Sequence, residues 1–151
     1  MGGNAWRWIV NYTELVKLFF ERSNALQWYW TLYVVIAGGL LAFSSLRQKR
    51  DLITGILVTI LFCFFAYKNL GGIRDTTLQR QATLEAIHQY PRSVSGEPDN
   101  WRERSLIEPT LSVPDYEDVR NFHIASDILV VAAMWAMELR RIRMARSEAA
   151  K

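Results

Sequence analysis

Apolar and polar positions along this chain are sorted into blocks, with little interleaving. Ser23 to Leu46 contains no charged residue, and its centre, from Leu26 to Phe43, is almost wholly apolar. A second uncharged block runs from Leu52 to Tyr67, and Lys68 is the only charge before Arg74. An α-helix needs about 20 mostly apolar residues to cross a bilayer, and a lysine near its end can snorkel. Neither block carries the polar stripe that a water-facing helix requires. The first lies well inside the chain and is followed at once by Arg47-Gln48-Lys49-Arg50, which reads as a retained span and not a cleaved signal.

A third block, Asn121 to Met137, is interrupted by His123 and Asp127. Taken from Val119 to about Arg140 it has the length of a span, and the basic run from Arg140 onward stops it. The pattern therefore predicts an all-α integral membrane protein with three transmembrane helices at 26–46, 52–73 and 119–139. Around them we expect an N-terminal amphipathic helix over 11–25, an extramembrane helix over 74–90, an irregular loop over 91–114 and a basic tail from 140 to 151.

In the N-terminal helix, Asn11 and Glu14 have capping-box spacing, and Tyr12, Leu15, Val16, Phe19 and Phe20 share a side. That side suits either the membrane interface or packing against a neighbouring subunit or span. Gly71-Gly72 is a candidate bend, after which Leu78, Ala82 and Ile87 or Leu84 are expected inward. The loop carries all four prolines, and Pro114 followed by Asp115, Glu117 and Asp118 predicts the start of the last helix. Trp6, Trp8, Trp28, Tyr29, Trp30, Tyr33 and Tyr67 have the makings of an interfacial aromatic belt. Gly38 with Ala42, and Ala132 with Ala136, have the small-xxx-small spacing of close helix approach.

Charge gives the expected orientation. Three spans place the 46–51 loop and the tail on one side, with eight of the 18 basic residues in 20 positions. Dense, short basic flanks mark the cytoplasmic side, so Arg47, Lys49, Arg50, Arg140, Arg141 and Arg143 are expected to be cytoplasmic anchors. The N-terminus and 74–118 are then outside or periplasmic, across a plasma or inner membrane. These residues account for the pI of 9.2 through topology and anionic lipid, with no need of nucleic acid as partner.

Asp127 is the most informative position. Counted back from Arg140 it lies roughly 20 Å along the helix, inside the bilayer. An intramembrane carboxylate is costly unless neutral, paired or hydrated. His123 is one turn away on the same face. Tyr33, Lys68 and Asn69 are predicted at the same depth, with Gln27, Trp30 and Cys63 near it. Three roles suit such a layer: interhelical ties, an ion pair with another membrane subunit, or chemistry with a proton, metal or ligand. One cysteine excludes an intrachain disulfide framework, and one residue each of His, Asp and Cys is no metal motif. There is no Walker loop, G-x-G-x-x-G, H-E-x-x-H or G-x-S-x-G, so no catalytic residue and no cofactor is expected. The reading is a small non-catalytic accessory or structural subunit of a larger membrane complex. Its rivals are an ion-, metal- or lipid-handling module around His123 and Asp127, and an interaction protein acting through its Arg-rich tail.

Overall fold

The computed structural model describes residues 11–47, 51–90 and 101–149. The chain is all-α: α1 (Tyr12–Leu46), α2 (Leu52–Gln89), the short α3 (Trp101–Ile107), a 3₁₀ turn (Glu108–Thr110) and α4 (Tyr116–Ala149). Helices α1, α2 and α4 are long and apolar enough to cross a membrane. At 1.5 Å per residue they measure about 50–57 Å, well beyond a hydrocarbon layer of about 30 Å.

In α1 and α2 that extra length is the main departure from the expected boundaries. The 11–25 helix and the first span are one continuous helix, as are the second span and 74–90. The α1 cap is the expected capping box: the Asn11 side chain accepts from Thr13 N–H, and Glu14 accepts from Asn11 N–H. Gly71 and Gly72 do not end α2. Gly72 serves close approach instead, because a Cβ there would stand 2.5 Å from the Tyr29 ring. The 91–114 segment is not wholly irregular, since it contains α3 and the 3₁₀ turn; 91–100 lie outside the described residues.

The helices pack along seams of heptad spacing. On α1 the buried positions are Phe19, Leu26, Tyr33, Ala37 and Ser44. On α2 they begin Phe62, Ala66, Asn69, Ile73, Thr76, and on α4 they are His123, Val130, Met134 and Glu138. Steps of three, four and seven residues keep one side of each helix on its neighbours, as in coiled coils. The seams hold Ser44, Asn69, Thr76, Thr77, Thr83, His123 and Glu138, while large apolar residues such as Val34, Val35, Ile53, Phe64 and Leu129 point outward. Polar residues share the interior with apolar ones while large apolar residues cover the outside, an arrangement a water-soluble bundle would avoid.

Two apolar clusters result. One, within the spans, gathers Tyr33, Ala37, Phe62, Val130 and Met134. The other, beyond them, gathers Phe19, Ile87 and Leu111, with Tyr12, Leu15, Val16 and Leu84 around them. The apolar side of the N-terminal helix is thus covered within the chain, by the far half of α2 and the segment after the 3₁₀ turn; Phe20 alone stays exposed. Leu78 and Ala82 are exposed, against expectation, because the α2 seam runs through Thr76, Thr77, Thr83 and Ile87. Gly38, Ala42, Ala132 and Ala136 are also exposed.

Arginines stitch this second region. The Arg104 guanidinium stands over the Tyr12 ring at 4.5 Å, donates to Glu108 at 3.0 Å and to the Tyr90 carbonyl at 3.3 Å. Arg80 lies over Phe19 at 4.9 Å and donates to the Ser112 carbonyl at 3.2 Å. Burial, with Glu108 beside it, holds the Tyr12 phenol above its ordinary pKa, and burial lowers that of Arg80.

Candidate functional site

The polar layer within the spans forms around His123, which is fully buried. Its Nδ1 is 2.9 Å from Asp127 Oδ2, one turn along α4, and its Nε2 is 3.2 Å from the Asn69 side-chain nitrogen on α2. A neutral imidazole fits both partners: Nδ1–H donates to the carboxylate and Nε2 accepts from the amide. From α1, the Tyr33 ring packs on the imidazole at 4.5 Å between centroids, and Trp30 at 5.7 Å. One polar layer therefore joins all three long helices.

Of the predicted layer, His123, Asp127, Tyr33 and Asn69 are brought together, and Lys68 is not. Lys68 is exposed, because consecutive helical residues point about 100° apart and its neighbour Asn69 holds the seam. Gln27 and Cys63 are exposed as well, while Trp30, expected in an interfacial belt, is partly buried against His123. Tyr33 is buried and belongs to the core, not to a belt; Trp28 and Tyr67 are exposed, and Trp6 and Trp8 lie outside the described residues. Three buried atoms in the layer have no hydrogen-bond partner: the Tyr33 hydroxyl, Asn69 Oδ1 and Asp127 Oδ1. Among the described residues, no group of three His, Cys, Asp or Glu side chains is positioned to hold a metal ion.

Asp127 also borders the outside. Its side chain is 21% exposed. It lines an open groove of about 520 Å³ between α2 and α4 whose other walls include Phe62, Cys63, Tyr67, Ile128 and Val131.

A second polar junction, at the Arg-rich end, was not anticipated from the sequence. Glu138 is 4% exposed. One of its oxygens accepts from Asp51 N–H at 3.2 Å and the other from Arg141 at 2.8 Å. Arg141 donates in turn to the Ser44 carbonyl. The carboxylate thus meets an amide at the start of α2, and the guanidinium meets a carbonyl in the last turn of α1, where backbone groups lack helical partners. Arg141 is consequently no free lipid anchor. Arg47 is partly buried, 3.8 Å from Asp51 and 5.5 Å over Phe43. Arg140 and Arg143 are exposed, and Lys49 and Arg50 lie outside the described residues. The α4 seam steps from His123 by seven, four and four residues to Glu138, so counting along that face is the signal that locates it.

Set against models of known families, curated proteins and solved structures, the chain finds a match in none of the three comparisons.

Proposed function

We propose that this chain is a small non-catalytic accessory or structural subunit of a larger membrane complex. The observation that carries the reading is the use made of His123. Of the partners of its two ring nitrogens, Asn69 on α2 ties α4 to its neighbour, and Asp127, one turn along α4, orients the imidazole for that tie. Glu138 is engaged in the same way at the other junction. With Asn69, His123 and Glu138 buried between helices, the bundle offers apolar outer faces and two exposed ends. In this reading the partners are the lipid bilayer and other membrane subunits, with no role for nucleic acid.

The orientation that fits is the Arg-rich end in the cytoplasm and the Tyr12–Ile87–Leu111 region outside or in the periplasm, across a plasma or inner membrane. Local density of basic residues supports it, with Arg140 and Arg143 exposed at that end. Extraction in mild detergent tests the subunit reading: the chain should migrate in an assembly of fixed composition larger than one copy in its micelle. Migration as a single 17.5 kDa chain under the mildest conditions would end it. In a Cys63→Ser background, a membrane-impermeant thiol reagent applied from outside should label Ser112→Cys and spare Ser147→Cys; the reverse result inverts the orientation.

A further inference from the structure

Helices α1 and α2 reach further past the His123 layer than α4 does. At 1.5 Å per residue, Tyr12 stands about 32 Å from Tyr33 along α1 and Gln89 about 30 Å from Asn69 along α2, but Tyr116 only about 10 Å from His123. The buried seams of α1 and α2 nevertheless continue to Phe19 and Ile87. There the place beside the two helices is taken by a strap, Ile107, Leu111 and Val113, and not by a third helix. The strap is fastened as a bound peptide is. Leu111 is its one buried side chain and has extended backbone, and the Ser112 carbonyl accepts from Arg80 at 3.2 Å. A side-chain anchor combined with main-chain hydrogen bonds is a common mode of recognising extended peptides.

The strap also leaves a donor unused. Arg80 lies over Phe19 in the wall of this groove, and its Nε–H is buried without a hydrogen-bond partner. An orphaned buried donor is costly, so a segment that brings a second acceptor gains over the strap. From these features we infer that the α1–α2 groove at Phe19 and Ile87 docks an extended segment of a neighbouring subunit, which displaces 107–113, seats one leucine-sized side chain where Leu111 lies and offers Arg80 two acceptors. The occupant is an extended peptide because one already sits there in that form. It is not a lipid tail, since 12–20 and 80–90 stand outside the spans expected at 26–46 and 52–73. The inference rests on the subunit reading for the source of the segment.

The full chain in phosphatidylcholine nanodiscs tests it, with a synthetic 104–114 peptide carrying photoleucine in place of Leu111 as the probe. The peptide is supplied at about millimolar concentration, that of a segment tethered in cis. It should label 12–20 and 80–90 about tenfold more in Leu111→Asp than in the parent chain, whose own strap leaves only the open fraction competent to bind. Adding Arg80→Ala to Leu111→Asp should lower that capture about tenfold, the ratio for a hydrogen bond from a charged group. Equal labelling of parent and variant, or labelling no greater than that by a peptide of scrambled order, overturns the inference. Leu111→Ser is the milder second variant; loss of helical circular dichroism in both would make the strap an integral part of the fold and overturn it too. A chain that migrates in a fixed assembly yet captures no peptide loses this site and keeps the subunit reading. A chain that migrates alone yet captures the peptide does the reverse.

Discussion

The two apolar clusters look alike as lists of residues and are held together by different forces. If the spans lie at 26–46, 52–73 and 119–139, Phe19, Ile87 and Leu111 stand beyond the length a bilayer covers, where removing apolar surface from water drives packing. Around Tyr33, Phe62 and Met134 the alternative to a neighbouring helix is lipid, which is as apolar as leucine. Association there relies on close packing and on polar ties, and it is in this region that His123, Asn69 and Glu138 are buried. The comparison teaches that a buried polar residue bonded across helices adds to packing in the spans, where removal of apolar surface from water is not available as a driving force.

The sharpest way to break this comparison is at Glu138. Glu138→Ala leaves the Arg141 guanidinium and the Asp51 amide without their carboxylate, and removing one partner of a buried pair costs about 3–5 kcal/mol. Unfolding in mixed micelles should register a loss of that order; a loss below 1 kcal/mol would mean that water at the Arg-rich end replaces the carboxylate.

Ile87→Ala tests the water-facing cluster. Ile87 is fully buried, and such truncations cost about 2–5 kcal/mol. The loss should be local, read as faster amide exchange in 12–20 and 80–90 while exchange in the spans is unchanged. Slowed or unaltered exchange at the ends would remove the claim that this cluster holds the extensions.

Gly72→Ala probes close approach where the two regions meet. The added Cβ meets the Tyr29 ring, and overpacking of this kind costs about 1–3 kcal/mol. Pairing it with Tyr29→Ala should restore most of the loss. Failure of that rescue would place the effect elsewhere.

Within the spans, Asn69→Leu removes one tie to His123. The expected loss is only about 0.6 kcal/mol, the average for interhelical polar contacts in a membrane protein. A loss several times larger would show that this layer behaves like a buried network in a soluble protein.

The smallest expected effect is alkaline. The Tyr12 pKa is raised in the folded chain from its ordinary value of 10.0, chiefly by burial and then by Glu108. A raised folded value means that its contribution to stability is complete below pH 10 and is lost as pH rises through the folded value. Tyrosine absorbance should show a late-ionising group that is missing in Tyr12→Phe, and proteolysis near 12–20 should increase over the same pH range in the parent chain.

Hydropathy and capping chemistry are local properties, and the sequence by itself determined what depends on them. The three apolar blocks appear as three helices able to span a membrane, Asn11 and Glu14 cap α1 as their spacing requires, and His123 meets Asp127 because four residues make about one turn. Rotational phase and fold-back are not local, and only the tertiary structure decided them. Asn69 and Lys68 are equally polar neighbours, yet the orientation of α2 sends one to His123 and the other outward. The helical extensions required partners more than 60 residues away in the chain to choose packing over the membrane interface. Arg141 reads as one arginine in a basic run until α1 ends beside it; its place is set by an unpaired carbonyl at Ser44, which exists only once the helices are side by side.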